Sequence, residues 1–372
     1  MGRLRRAVVT RCARSCLAWL FSFGEYAGVA FTSSADSRTA RAGGGPVASS
    51  GQLLTRHHPW RRIAKRGHDP RIVEVERLIS ARASALVVFS DGAAVSPVEL
   101  LELCTARRAP FVTICQAYSD SLWHPDEIAT RYRVALPRAR RCYFVSQANL
   151  RLLEKQIGVE LPNAEVVWNP VNLPPGASPP WPRLGKDGQL RFACVARLDP
   201  IAKGQDILFE VLATQRWRDR RWQLYLYGEG RNRQVLEHLA KRLEISDRVV
   251  FSGFESVEKI WAANHVLVMP SRFEGMPLAL VEAMLCGRPV IATDVAGHAE
   301  IIEDGVTGFL ADAPTTRAVA SALERFWVRR DEAEEMGKAG ILKIRQMMPI
   351  DPVRVFSDKL LEVAGVIPTQ HG

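Results

Sequence analysis

The sequence predicts an α/β protein built on parallel sheets and divided into two domains. Three observations carry this expectation. From residue 190 onward, short apolar runs alternate with amphipathic stretches six times over. The apolar runs are near-continuous, which is the pattern of strands covered by helices on both faces. A proline-rich break at 173–188 separates this alternation from a shorter one before it, in a chain of 372 residues, long enough for two domains of ordinary size.

Residues 1–72 open the chain with 13 Lys and Arg against three acids, whereas residues 73–372 carry 37 of each sign. The whole formal charge of +10 therefore sits in one stretch. A basic arm joined to a neutral body does not read as a nucleic-acid-binding protein. With 47% apolar and 24% charged residues, the composition excludes whole-chain disorder. The arm shows little periodicity and contains Gly43-Gly44-Gly45-Pro46, so it is expected to be irregular or disordered. It could touch anionic membrane peripherally. Cys16–Gly24 is too short to span a bilayer and lacks a clear cleavage site, so a cytoplasmic location is expected, including the inner face of the membrane. The seven cysteines form no C-x-x-C pair, and several lie inside apolar runs, as buried reduced thiols do.

A helical pattern begins at Glu74. Strand candidates follow at 85–90, 110–116, 142–146 and 165–170, with a helix at 96–108 behind a Ser-Pro start. Residues 73–172 are thus expected to form a first Rossmann-like domain, shorter than usual. The break at 173–188 holds Pro174, Pro175, Pro179, Pro180 and Pro182 and reads as a linker. Strands are predicted at 190–196, 222–228, 248–253, 265–270, 288–294 and 307–311. Helices are predicted near 204–215, 231–243, 256–262, 277–286, 297–302 and 315–330. Residues 189–348 then form a second domain, and 349–372 a C-terminal helix that can cross back to the first.

In parallel sheets, ligands bind beyond the carboxyl ends of the strands. After the strand at 265–270 comes Ser271-Arg272-Phe273-Glu274-Gly275-Met276-Pro277, then the helix LALVEAMLCG. Gly275 permits close backbone approach, Pro277 suits a helix start, and a helix N-terminus suits a phosphate. Glu282, eight residues beyond Glu274, could accept hydrogen bonds from a ribose diol. Alone, this loop reads equally as an ordinary capped helix with a solvated glutamate. After the strand at 190–196, Arg197 and Lys203 could neutralise a diphosphate or be surface cations. The turn YGEGR places Gly228 and Gly230 after a third strand, a weak signal by itself.

Together these segments are more specific. EGMPLALVE is an E-x7-E motif resembling the signature of retaining nucleotide-sugar glycosyltransferases of the GT-B fold, in particular glycosyltransferase family 4. VARLDPIAKGQD, LYGEG, VVFSGF and VLVMPSRFEGMPLALVEAMLCGRPVIATDVAGHAEIIEDGVTGFL resemble that family's donor domain, in family order, over about 165–345. Residues 85–172 resemble the second half of its acceptor domain. FVSQANLRLLEKQIG is similar to its helix-start Ser region, and WNPVN to its N-G-V-D-like start of the linker.

The resemblance implies two Rossmann-like domains facing a cleft, the first incomplete. It implies Arg197, Lys203 and Glu274 as catalytic groups at the diphosphate and sugar. Gly275, Met276, Pro277 and Leu278 would face the sugar and phosphates, Glu282 the ribose, and Gly253 and Phe254 the base, with Gly228 and Gly230 on the donor side. Ser146 and Asn169 would lie toward the acceptor. Gln116 stands where the family often places a His, and as an amide it binds a hydroxyl but is no base. His124 reads as a loop histidine, and a metal role for His57-His58 is unsupported.

The implied reaction is retaining transfer of a hexose-like sugar from a nucleoside diphosphate sugar to a glycan, lipid or small-molecule acceptor, as in cell-envelope polysaccharide synthesis. The alternative is a truncated chain that binds nucleotide sugar without transferring it. No Asp-x-Asp occurs, so neither metal nor cofactor is expected; the nucleotide sugar is a co-substrate.

Overall fold

The computed structural model describes residues 28–33, 70–81, 85–92, 95–174, 176, 178–183 and 188–365. The sequence-stretch of the basic arm other than 28–33 and 70–72, including His57-His58, Cys12 and Cys16, lies outside them. The chain divides into two compact units, one of residues 1–170 with 351–372, the other of Val171–Ile350.

The first unit holds a five-stranded sheet. Its strands are β1 (Gly28–Ser33), β2 (Ala85–Asp91), β3 (Phe111–Cys115), β4 (Arg141–Phe144) and β5 (Ala164–Val166), hydrogen-bonded in that order. Strands β2 to β5 are parallel. β1 is the departure: six residues of the stretch expected to be irregular pair antiparallel with β2, from Gly28 opposite Ser90 to Ser33 opposite Ala85. GVAFTS is bounded by charged and polar neighbours and too short to stand out by periodicity, so its strand state depends on the partner edge.

Both faces of β2 are buried, which explains its unbroken apolar run. Val87 and Phe89 face a cluster with Phe111, Leu101, Tyr132, Phe144 and Leu153. Leu86 and Val88 face the opposite cluster, with Val112, Ile114, Tyr143 and Val167. That second cluster is completed by the helix Pro352–Val363 from the C-terminal segment, through Phe356 and Leu360. Phe356 meets Tyr143 edge-on at 4.9 Å, and Lys359 pairs with Glu165. Asp351 caps this helix by accepting from the Arg354 N–H at 2.8 Å.

The second unit is a six-stranded, all-parallel sheet: β6 (Leu190–Val195), β7 (Trp222–Tyr227), β8 (Val249–Gly253), β9 (Val266–Met269), β10 (Val290–Thr293) and β11 (Gly308–Ala311). Across the sheet the order is β11-β10-β9-β6-β7-β8. The chain thus winds one way from β6 to β8, then returns to lay β9 on the other side of β6. That reversal is the doubly wound arrangement, and it opens a crevice at the carboxyl ends of β6 and β9. The core beneath holds Phe192, Phe209, Trp217, Trp222 and Phe326, all with under 3% of their surface exposed. Trp222 spends its buried N–H on the Trp217 carbonyl at 2.7 Å.

Five cysteines (104, 115, 142, 194 and 286) are free and buried. Burial pushes the Cys104, Cys194 and Cys286 thiols up to about 12, so they are inert packing groups. Among the described residues, no helix is long and apolar enough to cross a membrane.

Candidate functional site

The loops after β6 and β9 meet at the crevice between those strands. Arg272 ties them together. Its N–H donates to the Ala202 carbonyl at 2.8 Å. Its guanidinium takes both carboxylate oxygens of Asp206, at 2.8 and 2.7 Å, and the Pro200 carbonyl at 2.6 Å. A bidentate arginine fixes both distance and angle. Gly204, between these contacts, adopts φ +64°, and a Cβ there would lie 2.0 Å from the Pro270 carbonyl oxygen. Only glycine allows the two loops to approach this closely.

Lys203 and Glu274 come together in this frame. Lys203 Nζ lies 2.7 Å from Glu274 Oε1, although the residues are 71 positions apart. The same oxygen accepts from the Ser271 hydroxyl at 2.8 Å. Only 5% of Glu274 is exposed. Burial opposes its ionisation, but the Lys203 charge and the hydrogen bonds from Lys203 and Ser271 outweigh it and hold the carboxyl below the usual carboxylate range. Arg197 lies on the same loop, paired with Asp199 at 3.2 Å. Its carbonyl accepts from the buried Gln205 amide at 2.7 Å.

Behind Glu274 lies a layer that the spacing of charged residues did not reveal. The Thr293 hydroxyl donates to the Ser271 carbonyl at 2.6 Å. His298 Nδ1 faces the Thr293 carbonyl at 2.7 Å; a carbonyl only accepts, so Nδ1 carries the proton. Burial holds the His298 imidazole below its ordinary value, so it is neutral, and its buried Nε2 has no hydrogen-bond partner. Ser271 adjoins the motif in sequence and could have been singled out. Thr293, His298 and the Arg272–Asp206 pair are joined only by the sheet's winding.

Helix α1 (Leu278–Leu285) starts immediately after this loop, with Pro277 at its N-cap rather than within its first turn. Its first amides lack intrahelical partners by geometry and carry the positive end of the helix dipole. Met276 is buried. The Gly275 carbonyl accepts from the Gly297 N–H at 3.1 Å, tying the loop to the segment after β10. Glu282 is on the second turn and only 4% exposed. Its Oε1 accepts from the Asn172 main-chain N–H at 2.9 Å.

Gly228 and Gly230 turn out to face backbone. A Cβ at either would lie 2.4 Å from a carbonyl oxygen, that of Ala196 or Leu198. They therefore let the β7 turn pack against the two residues flanking Arg197. Leu198 N–H donates to the Glu229 carbonyl at 3.1 Å, continuing the β6–β7 ladder into the loops. Gly253 adopts φ +69° at the end of β8, and Phe254 after it is 83% exposed.

In the first unit, Gln116 and Asn169 follow β3 and β5. The Asn169 amide nitrogen donates to Gln116 Oε1 at 2.9 Å. Gln116 Nε2 and Asn169 Oδ1 are buried without partners. Ser146 is the N-cap of the helix Gln147–Ile157, accepting from the Asn149 N–H at 3.3 Å, and is fully buried. His124 packs at a 48° tilt 4.9 Å from Tyr132 and lies 3.0 Å from the Tyr118 hydroxyl. That hydroxyl donates onward to the buried Gln156 at 2.7 Å, so the half-buried His124 belongs to a support network.

Two α/β units, the second all-parallel and wound as 3-2-1-4-5-6, form a GT-B fold. The structure is similar to Anabaena HepE in complex with UDP (TM-score 0.60, 20% identity, 79% of this chain and 82% of that one). It is also similar to sucrose-phosphate synthase from Thermosynechococcus elongatus (TM-score 0.63, 19% identity, 78% and 76% covered). Residues 189–328 match the family described as Glycosyl transferases group 1, so the second unit carries a group 1 glycosyltransferase domain.

Among curated relatives, the alpha-D-kanosaminyltransferase of Streptomyces kanamyceticus is 34% identical over 146 residues. The GDP-mannose-dependent alpha-(1-6)-phosphatidylinositol monomannoside mannosyltransferase of Mycobacterium tuberculosis (strain CDC 1551 / Oshkosh) is 33% identical over 169 residues. The matches cover 38% and 42% of this chain, and 38% and 43% of those relatives' lengths.

Proposed function

We propose that this chain is a retaining glycosyltransferase that moves a hexose-like sugar from a nucleoside diphosphate sugar to a hydroxyl of a glycan, lipid or small-molecule acceptor. One observation carries the reading: the sheet's winding brings Lys203, Glu274 and the N-terminus of α1 together at the crevice where doubly wound sheets bind phosphorylated ligands.

In the proposed reaction the acceptor oxygen bonds to the anomeric carbon as the bond from that carbon to the diphosphate breaks. The acceptor proton passes to the leaving diphosphate on the same face. Negative charge grows on the departing phosphate, so groups fixed beforehand to receive it lower the barrier. Lys203, Arg197 and the first amides of α1 supply positive charge. Glu274 and Ser271 keep Lys203 in place before the donor arrives, and Glu274 turns a carboxylate toward the sugar. Glu282 takes the ribose, and the exposed Phe254 offers a face to the base.

The base is read as uracil or guanine, since one structural neighbour holds UDP and one relative is named for GDP-mannose. Calorimetry of the full chain with UDP, GDP and their glucose and mannose conjugates, beside a donor-turnover assay, tests the reading. Binding of one nucleotide series with turnover, abolished by Glu274→Gln, is the expected result. Binding without turnover under any acceptor supports the alternative of a nucleotide-sugar-binding protein. Unchanged turnover in both Lys203→Ala and Glu274→Gln overturns the assignment of roles.

A further inference from the structure

Glu282 poses a problem that its position in the motif does not solve. Its neighbours along α1 are Leu280, Val281, Ala283 and Met284, all buried. A carboxylate in such surroundings needs donors. The N–H that reaches its Oε1, at 2.9 Å, comes from Asn172, 110 residues earlier and before the first strand of the domain. The Asn172 side-chain amide also favours the charged form of this carboxylate. Both residues belong to the second unit, so the contact is internal to it. Pro170 and Pro174 flank the segment and restrict its backbone.

We propose that Asn172 is a positioning residue for nucleotide recognition: by donating main-chain and side-chain amides to Glu282, it fixes which carboxylate oxygen meets the ribose hydroxyls of the donor. This rests on the reading of Glu282 as the ribose acceptor and adds how that acceptor is set. A glutamate on a helix has three rotatable side-chain bonds, and ordering them costs entropy on binding unless they are already held. Asn172 holds them in the free protein. The main-chain bond falls on Oε1, which leaves Oε2 to the ribose.

The side-chain type matters. Burial pushes the Glu282 carboxyl above its ordinary value, and the Asn172 bonds work against that push. An aspartate at 172 would replace a donor with a second acid. Glu258, on the helix Val257–Ala263, already presses in the same direction as burial.

The test is the discrimination between ribose and deoxyribose. Affinities for UDP and 2′-deoxy-UDP, and for GDP and 2′-deoxy-GDP, are measured by calorimetry on the full chain and on Asn172→Ala, Asn172→Asp and Glu282→Ala. The native chain is expected to prefer the ribonucleotide of its own base roughly tenfold, the size of one hydrogen bond to a charged group. Asn172→Ala should reduce that preference about threefold, and Asn172→Asp should remove it. A loss of affinity equal for ribo- and deoxyribonucleotide would make Asn172 a mere structural support and overturn the proposal. The ratio does not depend on the fraction of protein folded, so it survives a destabilised variant. Glu282→Ala separates the two ideas. If it leaves the native preference intact, the ribose reading of Glu282 fails. If it abolishes the preference while Asn172→Ala and Asn172→Asp do not change it, the positioning role alone fails.

Discussion

At the carboxyl end of the second unit's sheet, the loops deliver charge. Lys203 and Glu274 meet at 2.7 Å, and the Arg272 guanidinium grips Asp206. At the corresponding end of the first unit's sheet, β3 and β5 deliver two amides, Gln116 and Asn169, bonded to each other. Asp91, at the end of β2, is buried there and accepts from the Ser96 hydroxyl at 2.5 Å. The difference teaches what each rim is built to meet. Preformed opposite charges suit a ligand that brings its own phosphates. Neutral amides suit a hydroxyl, which donates and accepts but carries no charge.

The largest effect expected from this contrast is at Lys203. Lys203→Ala leaves a buried carboxylate without its cation, which costs about 3–5 kcal/mol when a buried pair is broken from one side. Turnover should fall by roughly 10³-fold if Lys203 also receives charge from the leaving diphosphate. Urea denaturation and donor-turnover assays on one preparation check both. A variant as stable as the native chain would mean that Glu274 is satisfied without Lys203, and the charged rim would lose its meaning.

Much of this was legible in the sequence, for identifiable reasons. The strands VLVM and VIAT of the second unit are apolar and buried on both faces, so they stand out against any helix. The loops after them carry the glycines and charges that backbone geometry demands. What was not legible depends on long-range pairing. The strand at 28–33 needs the edge of β2 to exist. The spacing of Arg197 and Lys203 placed both on one loop, but only the winding of β6 beside β9 sets Glu274 against Lys203. Gly228 and Gly230 read as ligand-facing glycines because a G-x-G turn does not reveal which backbone it touches. Asn172 sat within a segment read only as linker, and nothing local linked it to Glu282.

Acid probes the contrast at intermediate size. His265, buried in the second unit, has its Nδ1 3.1 Å from the Arg191 main-chain N–H. Burial, with the nearby charges of Arg191 and Arg288, lowers its value to about 4. The unfolded chain takes up that proton near pH 6.5 and the folded chain does not until about pH 4, so stability is complete above 6.5 and declines as pH falls between them. The loss approaches about 3 kcal/mol at the lower limit. The Glu274 contribution has the same sign but a lower window, since its carboxyl is held below the usual range and is protonated later. Denaturation midpoints from pH 7.5 downward should fall less steeply in His265→Gln, the remaining slope coming from His298 and His124, whose imidazoles burial also holds below their ordinary value. An unchanged pH profile in that variant would assign the acid loss elsewhere.

The smallest effect belongs to the amide pair, and it is the sharpest test of neutrality. Gln116→Met or Asn169→Leu alone removes one partner and leaves the other amide with unmet groups, a cost of about 1–3 kcal/mol. Replacing both removes every orphan at once, so the double variant should be about as stable as the native chain. The two substitutions would then couple by roughly the cost of a single one, as contacting residues do. A charged rim cannot behave this way at Lys203 without an exact apolar replacement for a buried ion pair. If the pair receives the acceptor hydroxyl and the donor is held at the second unit's sheet as proposed, the double variant should bind UDP or GDP with unchanged affinity yet transfer sugar poorly. Additive destabilisation would show that each amide is held by its own surroundings. Unimpaired transfer in a stable double variant would leave the amide pair without a substrate.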